Sequence, residues 1–130
     1  CIVGINYNGK IFSGRAKLAE SDKDFFSEKV GKTIALSKAR INAMQYEMKK
    51  TRKELQYRYD YYQEATKYER LSPAEVDPTG NFYYAIGRCS VRISALEKAL
   101  KTEETNLKTY IKNQTKALSI VRKFRQGNNN

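Results

Sequence analysis

The sequence predicts an α+β, mostly α fold: an N-terminal β-hairpin followed by two long antiparallel helices that form a helical hairpin. Three features of the 130-residue chain predict it. An Asn-Gly pair separates two strand-like segments near the start, two long stretches carry apolar residues at helical spacing, and both prolines lie between those stretches. We expect one domain over residues 1–130 and a homodimer or higher homo-oligomer, because two helices alone leave much apolar surface uncovered.

Residues 1–20 are predicted to form the β-hairpin. Asn8 and Gly9 occupy the two turn positions that need a positive φ, which these residue types tolerate best. The resulting two-residue loop sets a register in which three pairs share one face: Val3 with Gly14, Ile5 with Phe12 and Tyr7 with Lys10. A lone hairpin is marginal in water, so this face must pack on a helix or join the strands of another chain.

Residues 27–71 are predicted to form the first long helix, since this segment has no proline and only one glycine, Gly31. Ser21 with Asp24 matches a helix-capping pattern, and Ser27 is a second candidate for the N-cap. Apolar residues follow steps of three and four, or their sums: Val30, Ile34, Ile41, Met44, Met48, Leu55, Tyr62 and Ala65.

Residues 72–81 are predicted to be a loop, because Pro73, Pro78 and Gly80 interrupt helical structure. The second long helix is predicted over 82–125, and residues 126–130 are predicted to be a disordered tail. Glu103 interrupts its apolar seam and is expected to set the register or meet a polar partner. The seam consists of Ile86, Cys89, Ile93, Leu96, Leu100, Leu107, Tyr110, Ala117, Val121 and Phe124.

The charge of the chain favours anionic partners. Lys and Arg number 25 against 14 Asp and Glu, a formal net charge of +11. No acidic residue follows Glu104, and antiparallel helices bring the end of the second helix back to the β-hairpin. We therefore expect positive charge to converge on the hairpin end. That end also carries Lys10, Arg15, Lys17, Lys29 and Lys32. The alternative is an ordinary solvated basic face. The basic residues after Glu104 are Lys108, Lys112, Lys116, Arg122, Lys123 and Arg125.

Aromatic rings and arginines are interleaved around the predicted loop, most clearly in NFYYAIGRCSVR, residues 81–92. A purine stacks well on such rings, and an arginine pairs with phosphate. The alternative is that the rings fill a helix–helix or subunit interface, where tyrosine is enriched. The candidate ligand-binding residues are Arg58, Phe82, Tyr83, Arg88, Arg92, Arg122, Lys123 and Arg125.

The sequence argues against an enzyme, a metal and a cofactor. It has no histidine, which removes the commonest general base and metal ligand. Asp22 and Asp24 lack the rest of a calcium loop, and the glycine pair Gly9 and Gly14 is not followed by the Gly-Lys-Ser/Thr of a P-loop. Only Cys1 and Cys89 are cysteines, which favours a reducing cytoplasm, and we expect no membrane association because no signal peptide or membrane-length apolar run is present.

One segment, NYNGKIFSGRAKLAESDKDFFSEKVGKTIALSKARINAM, carries a family resemblance. It has a hairpin ending G-x-A-K, an acidic and phenylalanine bridge, and a glycine and A-R at the start of a long helix. These positions are Gly14, Ala16, Lys17, Asp24, Phe25, Phe26, Gly31, Ala35, Ala39 and Arg40. In this opening third the chain resembles the phage-encoded Thoeris anti-defence sponges of type 1.

The resemblance implies a homo-oligomer in the cytoplasm of the infected bacterial host. Such a protein captures a cyclic ADP-ribose isomer, and in some members cyclic oligonucleotides, without hydrolysing the signal. It also implies that arginines and an aromatic ring clasp the ligand across a subunit interface. Two alternatives stay open: a basic regulator that binds nucleic acid, and a helical protein that inhibits a host factor by direct contact.

Overall fold

The computed structural model describes residues 1–17, 28–68 and 70–128. Its elements, in chain order, are β1 (Ile2–Tyr7), β2 (Lys10–Arg15), α1 (Glu28–Gln63), a π-helical turn (Glu64–Tyr68), α2 (Pro73–Val76) and α3 (Asn81–Asn128). A mostly helical chain with an N-terminal two-stranded hairpin and long helices is therefore confirmed. The candidate caps Ser21, Asp24 and Ser27 and the predicted end of the hairpin at 18–20 lie outside the described residues.

The hairpin has the predicted turn and register. Asn8 and Gly9 have φ angles of 51° and 81°, and the Gly9 N–H donates to Asn6 Oδ1 at 3.1 Å. The strands pair antiparallel, with Val3 opposite Gly14, Ile5 opposite Phe12 and Tyr7 opposite Lys10. The turn chemistry is local, which explains why the sequence alone predicts it well.

Three boundaries differ from the sequence predictions. The first long helix, predicted to reach residue 71, is α-helical only to Gln63 and ends with the π-helical turn at Tyr68. Arg70 has a φ of 55°, which no right-handed helix contains, so the helix does not continue to Leu71.

Helix α3 runs to Asn128, so residues 126–128 are helical rather than a disordered tail. Gly127 weakens a helix by about 1 kcal/mol but blocks no hydrogen bond, and no proline follows it. The predicted loop 72–81 contains the short helix α2.

Helix α2 forms because its first residues cap one another. The Ser72 hydroxyl oxygen accepts a hydrogen bond from Glu75 N–H at 3.2 Å, and the hydroxyl donates to Glu75 Oε1 at 3.0 Å. Pro73 occupies the first turn, where its missing N–H costs nothing. The prolines that suggested a loop are therefore compatible with one turn of helix.

The described residues divide into two compact units. We call Cys1–Ala43 with Leu100–Asn130 the hairpin unit, and Met44–Ala99 the loop unit. Helices α1 and α3 contribute residues to both.

The hairpin unit is organised around small residues of α1. Ala16, Ile34 and Ala35 form its buried cluster. A Cβ added to Gly14 would overlap the Ala35 carbonyl oxygen and lie 2.9 Å from the Cβ of Lys38. Gly14 therefore lies directly on the backbone of α1. The hairpin face predicted to need a partner thus packs on α1. The partly buried side chains around the cluster are Val3, Val30, Leu107 and Tyr110.

Glu103 meets the polar partner that its position in the seam led us to expect. The Ser37 hydroxyl, on α1, donates to Glu103 Oε1 on α3 at 2.7 Å. Ser37 is buried, so this hydrogen bond satisfies a polar group inside the hairpin unit.

In the loop unit, α1 and α3 run antiparallel. Glu47 pairs with Arg92, whereas Tyr62, further along α1, stacks on Phe82, which precedes Arg92 on α3. Cys89 is buried, as its seam position predicts. Within 1–17, 28–68 and 70–128, none of the helices combines the length and apolarity needed to cross a membrane.

Candidate functional site

Three arginines from the two long helices line one cleft of the loop unit. Arg58 comes from α1, and Arg88 and Arg92 lie one turn apart on α3. The cleft has a volume of about 140 Å³. A pocket for a whole drug-sized ligand measures roughly 300–1,000 Å³, so this one matches a phosphate or carboxylate group instead. We call it the arginine cleft; its other lining residues are Thr51, Glu54, Ala85 and Cys89.

Arg58 is held in place but keeps an unused donor. Its Nη2 lies 3.2 Å from Glu54 Oε1, one turn earlier on α1. Its Nε atom is buried and has no hydrogen-bond partner among the described residues. A buried N–H without a partner costs roughly 1–3 kcal/mol, so an anion that accepts from it gains that amount back.

Arg92 is already engaged with a carboxylate. Its Nη2 pairs with Glu47 Oε1, and the Glu47 side chain is only 7% exposed, against 51% for Arg92. Glu47 is thus a buried charge whose burial depends on Arg92. The guanidinium carries five donors, and those not used by Glu47 can still serve the cleft.

Arg88 is the least neutralised of the three. Within the described ranges it has no ion pair, and its guanidinium carbon lies 5.7 Å from the centre of the Tyr84 ring. Contact with an aromatic face orients a guanidinium without cancelling its charge. Arg88 is therefore the strongest single candidate for an anion ligand.

A second depression, the aromatic pocket, shares Arg58 with the arginine cleft. Its volume is about 290 Å³. Tyr57 and Tyr61 supply rings that are 72% and 60% exposed. Asp77 and Asn81 supply polar groups that can read the edge of a planar ligand. The full lining is Tyr57, Arg58, Tyr61, Val76, Asp77, Asn81 and Phe82.

Phe82 is not free to act as an open stacking platform. It stacks on Tyr62 with ring centres 4.3 Å apart and 13° between the planes. Tyr59 and Tyr83 meet it edge-on at 5.9 and 5.6 Å. Four rings thus form one cluster, and Phe82 anchors the wall of the pocket while the exposed tyrosines offer the open faces.

The cluster also affects ionisation. A hydrogen bond with Tyr83, followed by burial, raises the pKa of the Tyr62 phenol above its ordinary value of 10.0. Tyr62 therefore stays neutral throughout the physiological range, and no negative charge from it opposes an anion bound nearby.

The third depression, the α3 groove, lies along one face of α3 and shares Arg88 and Arg92 with the arginine cleft. It is shallow, with a volume of about 580 Å³. Tyr83 and Tyr84 stand at its start and are 65% and 67% exposed. The arginine cleft therefore shares lining residues with both the aromatic pocket and the α3 groove, each of which contains exposed tyrosines. The groove is lined by Tyr83, Tyr84, Gly87, Arg88, Val91, Arg92 and Ala95.

The structure brings five of the eight candidate residues into these adjoining depressions: Arg58, Phe82, Tyr83, Arg88 and Arg92. Arg122 and Lys123 lie on the last turns of α3 in the hairpin unit and form no part of them. Arg125 lies on the same turns, and its side chain is outside the described part.

Four carboxylate and amide residues that contact or line the site were not among the candidates from the sequence. Glu54 could have been found, because it precedes Arg58 by four residues on a helix. Glu47, Asp77 and Asn81 carry no such local signal, since their roles depend on how α1, the loop and α3 meet.

Asp77 also sets the start of α3. Its Oδ2 accepts a hydrogen bond from Phe82 N–H at 3.0 Å. We expect Asp77→Ala to lower the free energy of unfolding by about 1 kcal/mol, the usual cost of losing a helix cap. Urea denaturation measures this. Asp60→Ala is the control: Asp60 is exposed and, among the described residues, accepts a hydrogen bond only from Gln56 of its own helix. Equal stability of the two variants would contradict the capping role.

The described residues contain no group of three or more Cys, Asp or Glu side chains able to hold a metal ion. Comparison of the chain with protein-family models, with curated proteins and with solved structures gave no match in any of the three. The three adjoining depressions are therefore the features of the described residues that bear on function.

Proposed function

We propose that this protein binds and sequesters a cyclic nucleotide signal without hydrolysing it. The observation that carries the proposal is the sharing of arginines between depressions. Arg58 lines both the arginine cleft and the aromatic pocket, and Arg88 lines both the cleft and the α3 groove. A nucleotide has this same layout, with an anionic phosphate joined to a flat base.

The volumes of the arginine cleft and the aromatic pocket match the phosphate and the base of a nucleotide, respectively. The arginine cleft, at about 140 Å³, accepts a phosphate group, and the aromatic pocket, at about 290 Å³, accepts a base. Arginine forks pair with phosphate oxygens through two parallel hydrogen bonds. Tyr57 or Tyr61 stacks on the base, and Asp77 and Asn81 meet its hydrogen-bonding edge.

The charge of the cleft favours a phosphodiester or pyrophosphate over a terminal phosphate. Three guanidinium groups are opposed by the carboxylates of Glu54 and Glu47, which leaves one net positive charge. Each phosphate of a cyclic nucleotide carries a single negative charge, whereas a terminal phosphate carries nearly two at neutral pH. A phosphodiester or pyrophosphate, such as a cyclic nucleotide contains, is thus a better electrostatic match than a terminal phosphate.

One further feature supports capture of the ligand rather than catalysis, and another supports assembly of the chain into a homo-oligomer. The chain has no histidine to act as general base. Large apolar side chains such as Ile11 and Phe124 are 74% and 68% exposed, and a second copy of the chain would bury them. The resemblance of the opening third to the Thoeris anti-defence sponges points the same way.

Thermal shift and calorimetry test the proposal with a panel of cyclic ADP-ribose isomers, cyclic di- and trinucleotides, ADP-ribose and NAD. We expect strong stabilisation by a cyclic nucleotide at a fixed stoichiometry per chain. The ligand should be recovered chemically intact after heat denaturation of the complex. A ligand recovered in altered form, or a panel in which nothing binds, would overturn the proposal.

A further inference from the structure

A row of lysines lies along α3 in the hairpin unit, apart from the depressions of the loop unit. Its spacing is seven, four, four and seven residues. On a helix of 3.6 residues per turn these positions fall within about 80° of arc. The row, which we call the lysine row, consists of Lys101, Lys108, Lys112, Lys116 and Lys123, all of them exposed.

The lysine row is long and follows a single helix. It covers 22 residue steps of one uninterrupted helix, or about 33 Å at 1.5 Å per residue. Arg122 adds a further cation beside its end. A rigid helix fixes the spacing of the charged groups, so the complementary partner is one that carries negative charges in a line of similar length.

No acidic residue of α3 itself lies beyond Glu104 to balance the last four lysines of this row. Glu104 is the last acidic residue of the chain, and Lys108, Lys112 and Lys116 follow it at intervals of four. Like charges four residues apart on a helix repel and destabilise it slightly. A bound polyanion removes that repulsion and releases its own counterions, which makes association favourable at low salt.

The geometry favours a nucleic acid over a membrane surface. The exposed apolar residues of the last turns are Ile120, Val121 and Phe124. Their mean direction lies about 125° around the helix from the centre of the lysine row, and Ile120 is the nearest at about 80°. A membrane that takes up an amphipathic helix receives its apolar side, which would leave most of the row facing water. A duplex contacts the row itself through its phosphates.

We propose that the lysine row binds the phosphate backbone of a nucleic-acid duplex without reading its sequence. Lysines are mobile point charges and suit such contacts, whereas base reading needs directed forks or amides in a groove. This site is separate from the proposed nucleotide cleft and does not depend on it. Five neutralised phosphates predict a slope of log affinity against log salt of about −4.5.

Fluorescence anisotropy with a labelled 20-base-pair DNA duplex tests the proposal on the whole chain. We expect affinity to fall by about 500-fold between 50 and 200 mM salt, as that slope requires. The variant Lys108→Glu/Lys112→Glu/Lys116→Glu should bind at least about 100-fold more weakly, since three attractive contacts become repulsive.

The matched control is Lys49→Glu/Lys50→Glu/Lys53→Glu, which changes the net charge by the same amount on exposed residues of α1. We expect its affinity to fall less than about tenfold, because it alters only the general field of the protein. Melting curves of both variants establish that they are folded. Equal losses in the two variants, no duplex binding by the parent, or row-dependent binding to phosphatidylglycerol vesicles instead of the duplex would each overturn the proposal.

Discussion

Gly14→Ala is expected to release the hairpin from α1 and to cost about 3 kcal/mol or more of unfolding free energy. The added methyl group would overlap the Ala35 carbonyl oxygen and lie 2.5 Å from the Ala39 backbone nitrogen. Both are backbone atoms of a helix and cannot rotate away, so the strands themselves must move. Overpacking usually costs about 1–3 kcal/mol, and an obstacle of fixed backbone belongs at or above the top of that range.

Gly4→Ala is the matched control, since it makes the same change on the neighbouring strand. A Cβ at Gly4 meets only Ile11 Cγ2, at an ordinary 3.5 Å. Chemical denaturation of both variants should show a large loss for Gly14→Ala and a change within about 0.5 kcal/mol for Gly4→Ala. Similar stabilities would contradict the close approach of β2 to α1.

Arg92→Met is expected to destabilise the loop unit by about 3 kcal/mol. The substitution keeps much of the side-chain volume but leaves the Glu47 carboxylate buried, at 7% exposure, without its cation. Removing one partner of a buried pair costs roughly 3–5 kcal/mol, and the half-exposed position of Arg92 puts the expected value at the lower end.

The double variant Glu47→Met/Arg92→Met separates the effect of an unpaired buried charge on stability from the effect of lost side-chain packing. It removes the buried charge as well as its partner, so it should be more stable than Arg92→Met alone. Arg52→Met is the surface control, because Arg52 pairs with Glu97 at 2.9 Å with both side chains more than half exposed. That variant should lose less than about 1 kcal/mol. A double variant no more stable than Arg92→Met would show that Glu47 is not held by Arg92.

The sequence predictions were most accurate for features that depend on residues close together along the chain. The hairpin register depends on Asn8 and Gly9, two adjacent residues with a narrow conformational preference, and was predicted pair by pair. The long helices depend on periodicity over many residues, and both ends of α3 were predicted to within three residues, whereas α1 ends at Gln63 rather than at residue 71. Helix α2 was missed because Pro73 was taken as a helix breaker rather than as a first-turn residue.

The packing of α1 was harder to predict. The apolar seam drew attention to Met44 and Met48, yet the most buried positions are the small residues Ala35, Ala39 and Ala43, which let other backbone come close. Small residues carry little hydrophobic signal, so periodicity does not single them out. Their role becomes visible only once Gly14 is seen against them.

In the candidate site, too, features local in sequence were predicted and contacts between helices were not. Arginines and rings near the loop were predicted as a group, and Arg58, Arg88 and Arg92 do share a cleft. No sequence pattern indicated that Phe82 would stack on Tyr62, since that contact joins two helices across the loop. For the same reason, no pattern along the chain indicated which of the arginines would be neutralised by carboxylates. The exception is Arg58, whose partner Glu54 lies four residues earlier on the same helix.

The most direct test of nucleotide capture is calorimetric titration of the parent protein, Arg88→Gln and Arg52→Gln with cyclic ADP-ribose and with cyclic diadenylate. Arg88 lines the cleft and has no ion pair in the described ranges, whereas Arg52 is an ion-paired arginine of the same unit that lies outside it. We predict that the parent binds at least one of the two ligands, that Arg88→Gln loses at least about 30-fold in affinity, and that Arg52→Gln stays within about threefold. Equal affinity of Arg88→Gln and the parent, or no binding of either ligand to the parent, would contradict the account.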